Sequence, residues 1–301
     1  MLVGFRAPYW YQQQFESQHR RGLGAQLMGR FSKLETGTGK EPALEVTEVD
    51  GLPRKRKRGE EALPPAPDYD QGHYVSEGDK YYYNGDYQKA LRQYSRAMQV
   101  DQSSIDPWIG QVLCLVELKQ FREANMWVLR ALELFPEEAR LIAVQGLVYA
   151  LNGTIKRGLA CSDYAISRPG ASGAFVWALR GHVLSLADNS NAAFCFDKAM
   201  EVRQKEDWRT PMRIGLLLLQ EKKWSRAAEF LQTAVQLNQR NGFLWKKLGL
   251  ANEKMGLSGP ALEAYQAATH LNVDDREAEG NIQRLTSTSL PARLWRRLFN
   301  G

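Results

Sequence analysis

The chain has 301 residues, 44% of them apolar, 25% charged and 10% aromatic, and carries a formal net charge of +6. That length suits about two ordinary domains, and the lack of any unbroken apolar stretch near ~20 residues excludes a membrane-spanning helix. Residues 71–275 are within two charges of neutral; the basic excess sits in Arg54-Lys55-Arg56-Lys57-Arg58 and in a C-terminal tail with Arg293, Arg296 and Arg297, so the body offers no general nucleic-acid footprint.

In chain order, residues 1–70 come first. Residues 5–31 hold an aromatic cluster, Phe5, Tyr9, Trp10, Tyr11, Phe15 and Phe31. Linkers rarely carry so much apolar surface, so this segment is expected to dock, either on its own chain or on a partner. Its arginines also match a mitochondrial-type presequence, against which stand interrupting glycines and few serines. A secretory signal is not expected, because Met1-Leu2-Val3-Gly4-Phe5-Arg6 lacks a charged start and a long apolar stretch. Residues 36–62 read as disordered, and Leu63-Pro64-Pro65-Ala66-Pro67 as a stiff extended linker. The basic run 54–58 reads as a nuclear signal or nucleic-acid contact in a eukaryote and as a solvated linker in a bacterium.

From residue 71 a period appears. Small residues recur at Ala90, Ala124, Gly158, Ala192, Ala227 and Ala261 and again seven positions on, at Ala97, Ala131, Ala165, Ala199, Ala234 and Ala268. Between each pair stands Tyr94, Val128, Ser162, Phe196, Leu231 or Tyr265. Ahead of each lie a residue such as Gly78, Gly146, Gly181, Gly215 or Gly249 and, four earlier, a large one such as Tyr74, Trp108, Ile142, Trp177 or Trp245; Pro211 is the exception. Spacings of three, four and seven are helical. Asn84-Gly85-Asp86 and Asn152-Gly153 mark turns. Each unit is therefore a pair of amphipathic helices that buries its apolar face only by stacking on its neighbours.

The sixth unit, Trp245-x-x-Leu248-Gly249 … Ala261-x-x-x-Tyr265-x-x-Ala268, resembles the tetratricopeptide repeat family, and the second adds Trp108, Ala124, Ala131 and the unit-closing Pro136. The resemblance covers residues 71–275. It implies an all-α, right-handed superhelical solenoid of six helix pairs. Gly158, Ser162 and Pro211 depart from the pattern, and the longer loop Arg168-Pro169-Gly170-Ala171-Ser172-Gly173 is either a joint between two half-solenoids or a surface insertion. Beyond the sixth unit, Ala278, Ile282 and Leu285 share one face of a capping helix, within a 276–301 segment of cap and basic tail.

In the family the first helices of the units line a concave groove that holds peptides or partner helices. Here that strip carries Ile109, Leu113, Val116, Leu147, His182, Met212, Leu216 and Leu219, with Lys246 near its end. An apolar groove takes an apolar or amphipathic ligand; alternatively tight winding buries it, or the chain's own tail covers it. The family's clamp for chaperone C-terminal carboxylates is absent, since Val75, Asp79, Ala143 and Leu147 stand where its Lys, Asn and Arg residues would. Arg209, Arg213, Lys246, Lys247 and Lys254 at one end of the strip contrast with Asp79, Asp106 and Glu117 at the other, a gradient that would orient a partner or simply a solvated face.

No catalytic or metal-binding constellation is expected. The four histidines have no His or Cys partner at helical spacing, and phosphate-loop and nucleophile-elbow strings are missing. Cys114, Cys161 and Cys195 are odd in number and far apart, which suits core residues in a reducing compartment. At the C-terminus, Ser289 and Pro291 suit a second helix start, with Leu294, Trp295, Leu298 and Phe299 as an apolar anchor that folds back, binds a partner or lies on a membrane surface.

The sequence thus predicts a non-enzymatic scaffold, adaptor or chaperone-like module, cytoplasmic or, in a eukaryote, nuclear, without cofactor or metal. It holds an apolar or amphipathic segment of another protein, with residues 5–31 as a competing internal ligand. The alternatives are a nucleic-acid-associated assembly factor using the basic run and tail, and a peripheral membrane scaffold.

Overall fold

The computed structural model describes residues 69–272 and 275–299, with side chains up to residue 287. Among them are thirteen helices and no strand. They pair as α1 (Gln71–Tyr83) with α2 (Tyr87–Val100), α3 (Asp106–Glu117) with α4 (Phe121–Leu134), and α5 (Ala139–Leu151) with α6 (Ile155–Ile166). The series continues with α7 (Ala174–Leu186) and α8 (Ala192–Val202), α9 (Arg209–Gln220) and α10 (Trp224–Leu237), and α11 (Gly242–Lys254) and α12 (Ser258–Leu271). Helix α13 (Arg276–Phe299) follows.

The 34-residue pattern works through size complementarity within each pair. Phe196 of α8 lies over Gly181 of α7, where an added Cβ would come within 2.5 Å of its ring. Tyr265 crosses Gly249 in the same way at 2.9 Å. The third pair solves the problem differently. With Gly158 and Ser162 on α6, backbone meets backbone, and a Cβ at Gly158 would stand 2.8 Å from the Gly146 carbonyl oxygen. The departure from the family pattern is therefore a closer approach of two helices, not a weaker one.

Each intra-pair turn needs one left-handed residue. Gly85, Gly153 and Gly256 supply it at φ near +80°, but Lys119 (φ 60), Asp188 (φ 53) and Lys222 (φ 60) fill the equivalent places in the other pairs. A left-handed conformation costs an L-residue about 1–2 kcal/mol, partly offset by the greater unfolded-state freedom of glycine. Lys119→Gly and Lys222→Gly should each stabilise the chain by up to about 1 kcal/mol, read as a higher urea midpoint. A lower midpoint would show that these lysines hold the turn by some other contact.

The interior divides into two large apolar clusters and a small third one beneath α13. Of the large ones, one runs from Tyr82 to Val183 and the other from Ala178 to Ala264, so they meet within the fourth pair. The loop 168–173 lies inside the first cluster's span: Ala171 is buried, and Arg168 stacks on Tyr164 at 4.3 Å and pairs with Glu137 at 2.8 Å. It is a surface insertion that leaves the third and fourth pairs packed. The looser junction falls one pair later, between α8 and α9, which touch least among consecutive helices of the array. Cys114, Cys161 and Cys195 are buried free thiols.

At the far end Ala278, Ile282 and Leu285 of α13 lie against Ala261, Tyr265, Ala268 and Trp245. Arg284 grips Glu253 with two bonds of 2.7 and 2.8 Å. The expected second helix start at Ser289 and Pro291 is not found, because α13 runs unbroken through both to Phe299. The side chains of Leu294, Trp295, Leu298 and Phe299 lie outside the described residues, as do the segment 5–31 and the run Arg54 to Arg58.

Candidate functional site

The first helices of the six pairs stand side by side, and their inner faces decide what the array can hold. Leu113, Val116, Leu147, His182, Met212 and Leu216 do converge. They do not line an open groove. Leu147, His182 and Met212 are at most 2% exposed, Ile109, Leu113 and Leu219 are also buried, and the space left between the converging residues is about 20 Å³. The expectation of an open apolar groove is corrected: the array winds tightly enough to bury that face. Lys246 is not on it, since its ammonium bridges Asp275 and Glu277 at the start of the cap, each at 2.9 Å.

The tight winding has a definite cause. The first pair meets the fifth and sixth, closing the array on itself. The Asn241 side-chain amide donates to the Tyr83 carbonyl at 3.0 Å across 158 positions of sequence, and its own Oδ1 caps α11 by accepting from Leu244 N–H at 3.1 Å. Tyr83 packs edge-on against Trp208, ring centres 5.0 Å apart, and Phe243 presses against Gly85. Arg209 stacks on Tyr83 at 4.8 Å and reaches Asp79 at 3.5 Å. The acidic and basic ends read from the sequence as a gradient are thus partners across a closure.

This closure is modest in strength. An exposed pair such as Arg209–Asp79 contributes about 0–1 kcal/mol, and the Asn241 hydrogen bond about 1 kcal/mol. Other charges there are uncomfortable. Burial pushes the Glu117 carboxyl up despite nearby Arg213 and Lys247, and pushes the Lys247 ammonium down. Among the described residues neither Glu117 nor Lys247 has an ion-pair partner within 4 Å.

Among the open spaces is a funnel at the N-terminal ends of the first helices. Its inner chamber, about 570 Å³, is bounded by Ile109, Leu113, Tyr82, Phe175, Arg140 and Arg213 among others. Arg213 stacks on Phe175 at 4.8 Å, while Arg140 is held by Asp106 at 2.8 Å. A second chamber of about 620 Å³ lies outside the Arg209–Asp79 bridge, walled by α1, Trp208, Arg240 and Asn241. Of the nine strip residues named from the sequence, Ile109 and Leu113 reach this open space. The sequence pattern does not mark Phe175, Arg140, Tyr83, Trp208 or Asn241 as site residues. One signal did exist: Pro211 breaks the pattern of large residues, and the aromatic ring of that unit, Trp208, stands three positions earlier, at the closure.

Among the described residues no group of His, Cys, Asp or Glu is arranged to hold a metal, and no helix is long and apolar enough to cross a membrane. Buried His182 has no hydrogen-bond partner at Nδ1 among the described residues, and burial lowers its pKa to about 3.

No family model and no curated protein sequence matches the chain. Solved structures do resemble it. The APC/C hetero-tetramer Cut9-Hcn1 matches over 72% of this chain at 15% identity with a TM-score of 0.45, and this chain spans 43% of that one. YrrB, a TPR protein with an unusual peptide-binding site, matches over 62% of this chain and 96% of its own at 18% identity and TM-score 0.37. The first TPR of Spaghetti (RPAP3), bound to the HSP90 peptide SRMEEVD, matches over 38% of this chain and 91% of its own at 19% identity and TM-score 0.33.

Proposed function

We propose that this array of tetratricopeptide-type helix pairs is a non-enzymatic protein-interaction scaffold that takes an extended or amphipathic segment of another protein in its funnel. The observation that carries the reading is the inner chamber of about 570 Å³, where Ile109 and Phe175 offer apolar contact beside the guanidinium groups of Arg140 and Arg213. Such a mixture binds a side chain by its apolar body and fixes its register by a polar tip. YrrB and the Spaghetti domain are each described with a peptide or a peptide site. Residues 5–31 of the chain itself are a competing occupant.

A photo-crosslinking amino acid at Phe175 tests this, with the same group at Phe194, which is 62% exposed on the outer side of α8. Protein adducts should form from position 175, persist at 0.5 M salt and be absent from position 194. Binding through counterion release would instead collapse with salt. Adducts from position 194 alone would place the partner elsewhere.

A further inference from the structure

The two chambers of the funnel meet at Arg209 and Asp79, and their charges do not balance. Six basic side chains line them, Lys80, Arg140, Arg203, Arg209, Arg213 and Arg240, against the carboxylates of Asp79, Asp106 and Asp207. All three carboxylates are already engaged. Asp79 accepts from the Tyr94 hydroxyl at 2.7 Å and pairs with Arg209 at 3.5 Å, and Asp106 holds Arg140 at 2.8 Å. Asp207 accepts from the Thr210 hydroxyl at 2.6 Å and from the Arg209 N–H at 2.9 Å. The cations are less well served. Among the described residues Arg203, Arg213 and Arg240 have no carboxylate within 4 Å, and the buried Nε of Arg203 has no hydrogen-bond partner. Glu117 acts on Arg213 only at longer range. The funnel is short of anions.

The chain itself carries the complement. Residues 41–50, Glu41-Pro42-Ala43-Leu44-Glu45-Val46-Thr47-Glu48-Val49-Asp50, bring four carboxylates and no basic residue, interleaved with Leu44, Val46 and Val49. That mixture matches a wall where Ile109, Leu113 and Phe175 stand beside guanidinium groups. The aromatic segment 5–31 fits less well, because Arg6, Arg20, Arg21 and Arg30 outnumber Glu16 and meet a lining of their own sign. Position favours 41–50 too. Gln71 and Gly72, in the first turn of α1, line the outer chamber, so the chain enters the array at the funnel's mouth. A flexible link over 51–70 has a span of roughly 5–6 Å × √20, or about 25 Å, the width of two or three packed helices. Within that link Arg54 to Arg58 offer the same carboxylates a solvated alternative. Charge pairs made against a protein wall are stronger than pairs made in open water.

We propose that residues 41–50 occupy the funnel of the free chain as an internal acidic plug. Its carboxylates take the unpaired Arg203, Arg213 and Arg240, and its aliphatic side chains lie on Ile109 and Phe175. An incoming segment of another protein has to displace it. The inference rests on the scaffold reading of the funnel and adds the regulation of that same site: the plug sets the affinity that a partner must exceed.

The test uses the purified full chain with a photo-crosslinking amino acid at Phe175. Val202, which lines the same chamber and is 37% exposed, is the second position should the first variant fail to fold. Trypsin cuts after Lys40 and Arg54, so the plug leaves as peptide 41–54, apart from every peptide of 5–31. Irradiation should join the funnel position to peptide 41–54 within a monomeric species. The adduct should fade at 0.5 M salt, where the screening length falls to about 4 Å. It should also be lost in a neutralised chain carrying Glu41→Gln, Glu45→Gln, Glu48→Gln and Asp50→Asn. A fluorescein-labelled synthetic peptide of residues 41–50 gives the second readout. It should bind the neutralised chain about tenfold more tightly than the parent, as expected when an internal copy at ~1 mM competes against a Kd of ~0.1 mM. No adduct with peptide 41–54, an adduct with residues 5–31 in its place, or equal peptide affinity for the two chains overturns the plug. None of these touches adducts between position 175 and another protein. An internal adduct with no external one, even from the neutralised chain, upholds the plug and faults the scaffold reading.

Discussion

Phe196→Ala should destabilise the chain by about 3–5 kcal/mol, the range for deleting a fully buried phenylalanine. The ring is 1% exposed, fills the space above Gly181 and meets Phe230 edge-on with centres 6.3 Å apart. Its position matters as much as its size. It sits in the pair where the two apolar clusters join, and stability in stacked repeats is a sum of unit and nearest-neighbour terms. Weakening the fourth pair should therefore uncouple the halves, so that urea unfolding followed by tryptophan fluorescence and by circular dichroism no longer coincides. A double-mutant cycle identifies the contact. Gly181→Ala alone drives a methyl to 2.5 Å from the ring and should destabilise. In the Phe196→Ala background the same methyl has room and replaces a glycine within a helix, so it should be neutral or stabilising. If Gly181→Ala were equally harmful with and without the ring, the pairing of small with large residues would not be what holds α7 to α8.

That pairing is the part of the fold written most plainly in the sequence. A spacing of seven between small residues, with one large residue between them, describes local contacts within a pair, and local contacts leave a periodic trace. Ala278, Ile282 and Leu285 are legible on the same ground, as one helical face. The closure is not. Asn241 and Tyr83 meet across 158 positions of sequence, and neither they nor Trp208 recur in another unit, so no period reveals them. The strip of Leu113, Leu147, Met212 and Leu216 was visible as apolar, but apolar residues look the same whether they wait for a ligand or pack on one another. What decides between these is how far the array curls. That in turn depends on small adjustments at each pair, such as the backbone contact of Gly146 with Gly158. The charges show the same limit: Asp79 and Arg209 read as opposite ends of a line become neighbours once the line is bent into a ring.

His182 should make the folded chain sensitive to mild acid. Burial holds its pKa near 3, against 6.5 for an exposed histidine. Between those values the unfolded chain binds a proton that the folded chain does not, so stability rises with pH through this window. The contribution is complete above about pH 6.5 and is lost as pH falls toward 3, by about 1.4 kcal/mol per unit. From pH 7 to pH 5 the loss should be about 2 kcal/mol. The surroundings do little to relieve it: Leu147, Met212 and Leu216 offer no acceptor, and the adjoining space of about 20 Å³ holds no more than about one water. In His182→Leu the proton site is gone and a side chain of similar bulk stays in the apolar floor, so most of that loss should vanish. The measurement is the urea midpoint of parent and variant at pH 7 and pH 5, taken as a difference so that carboxylates common to both cancel. Equal losses in the two chains would mean that the imidazole is protonated without unfolding.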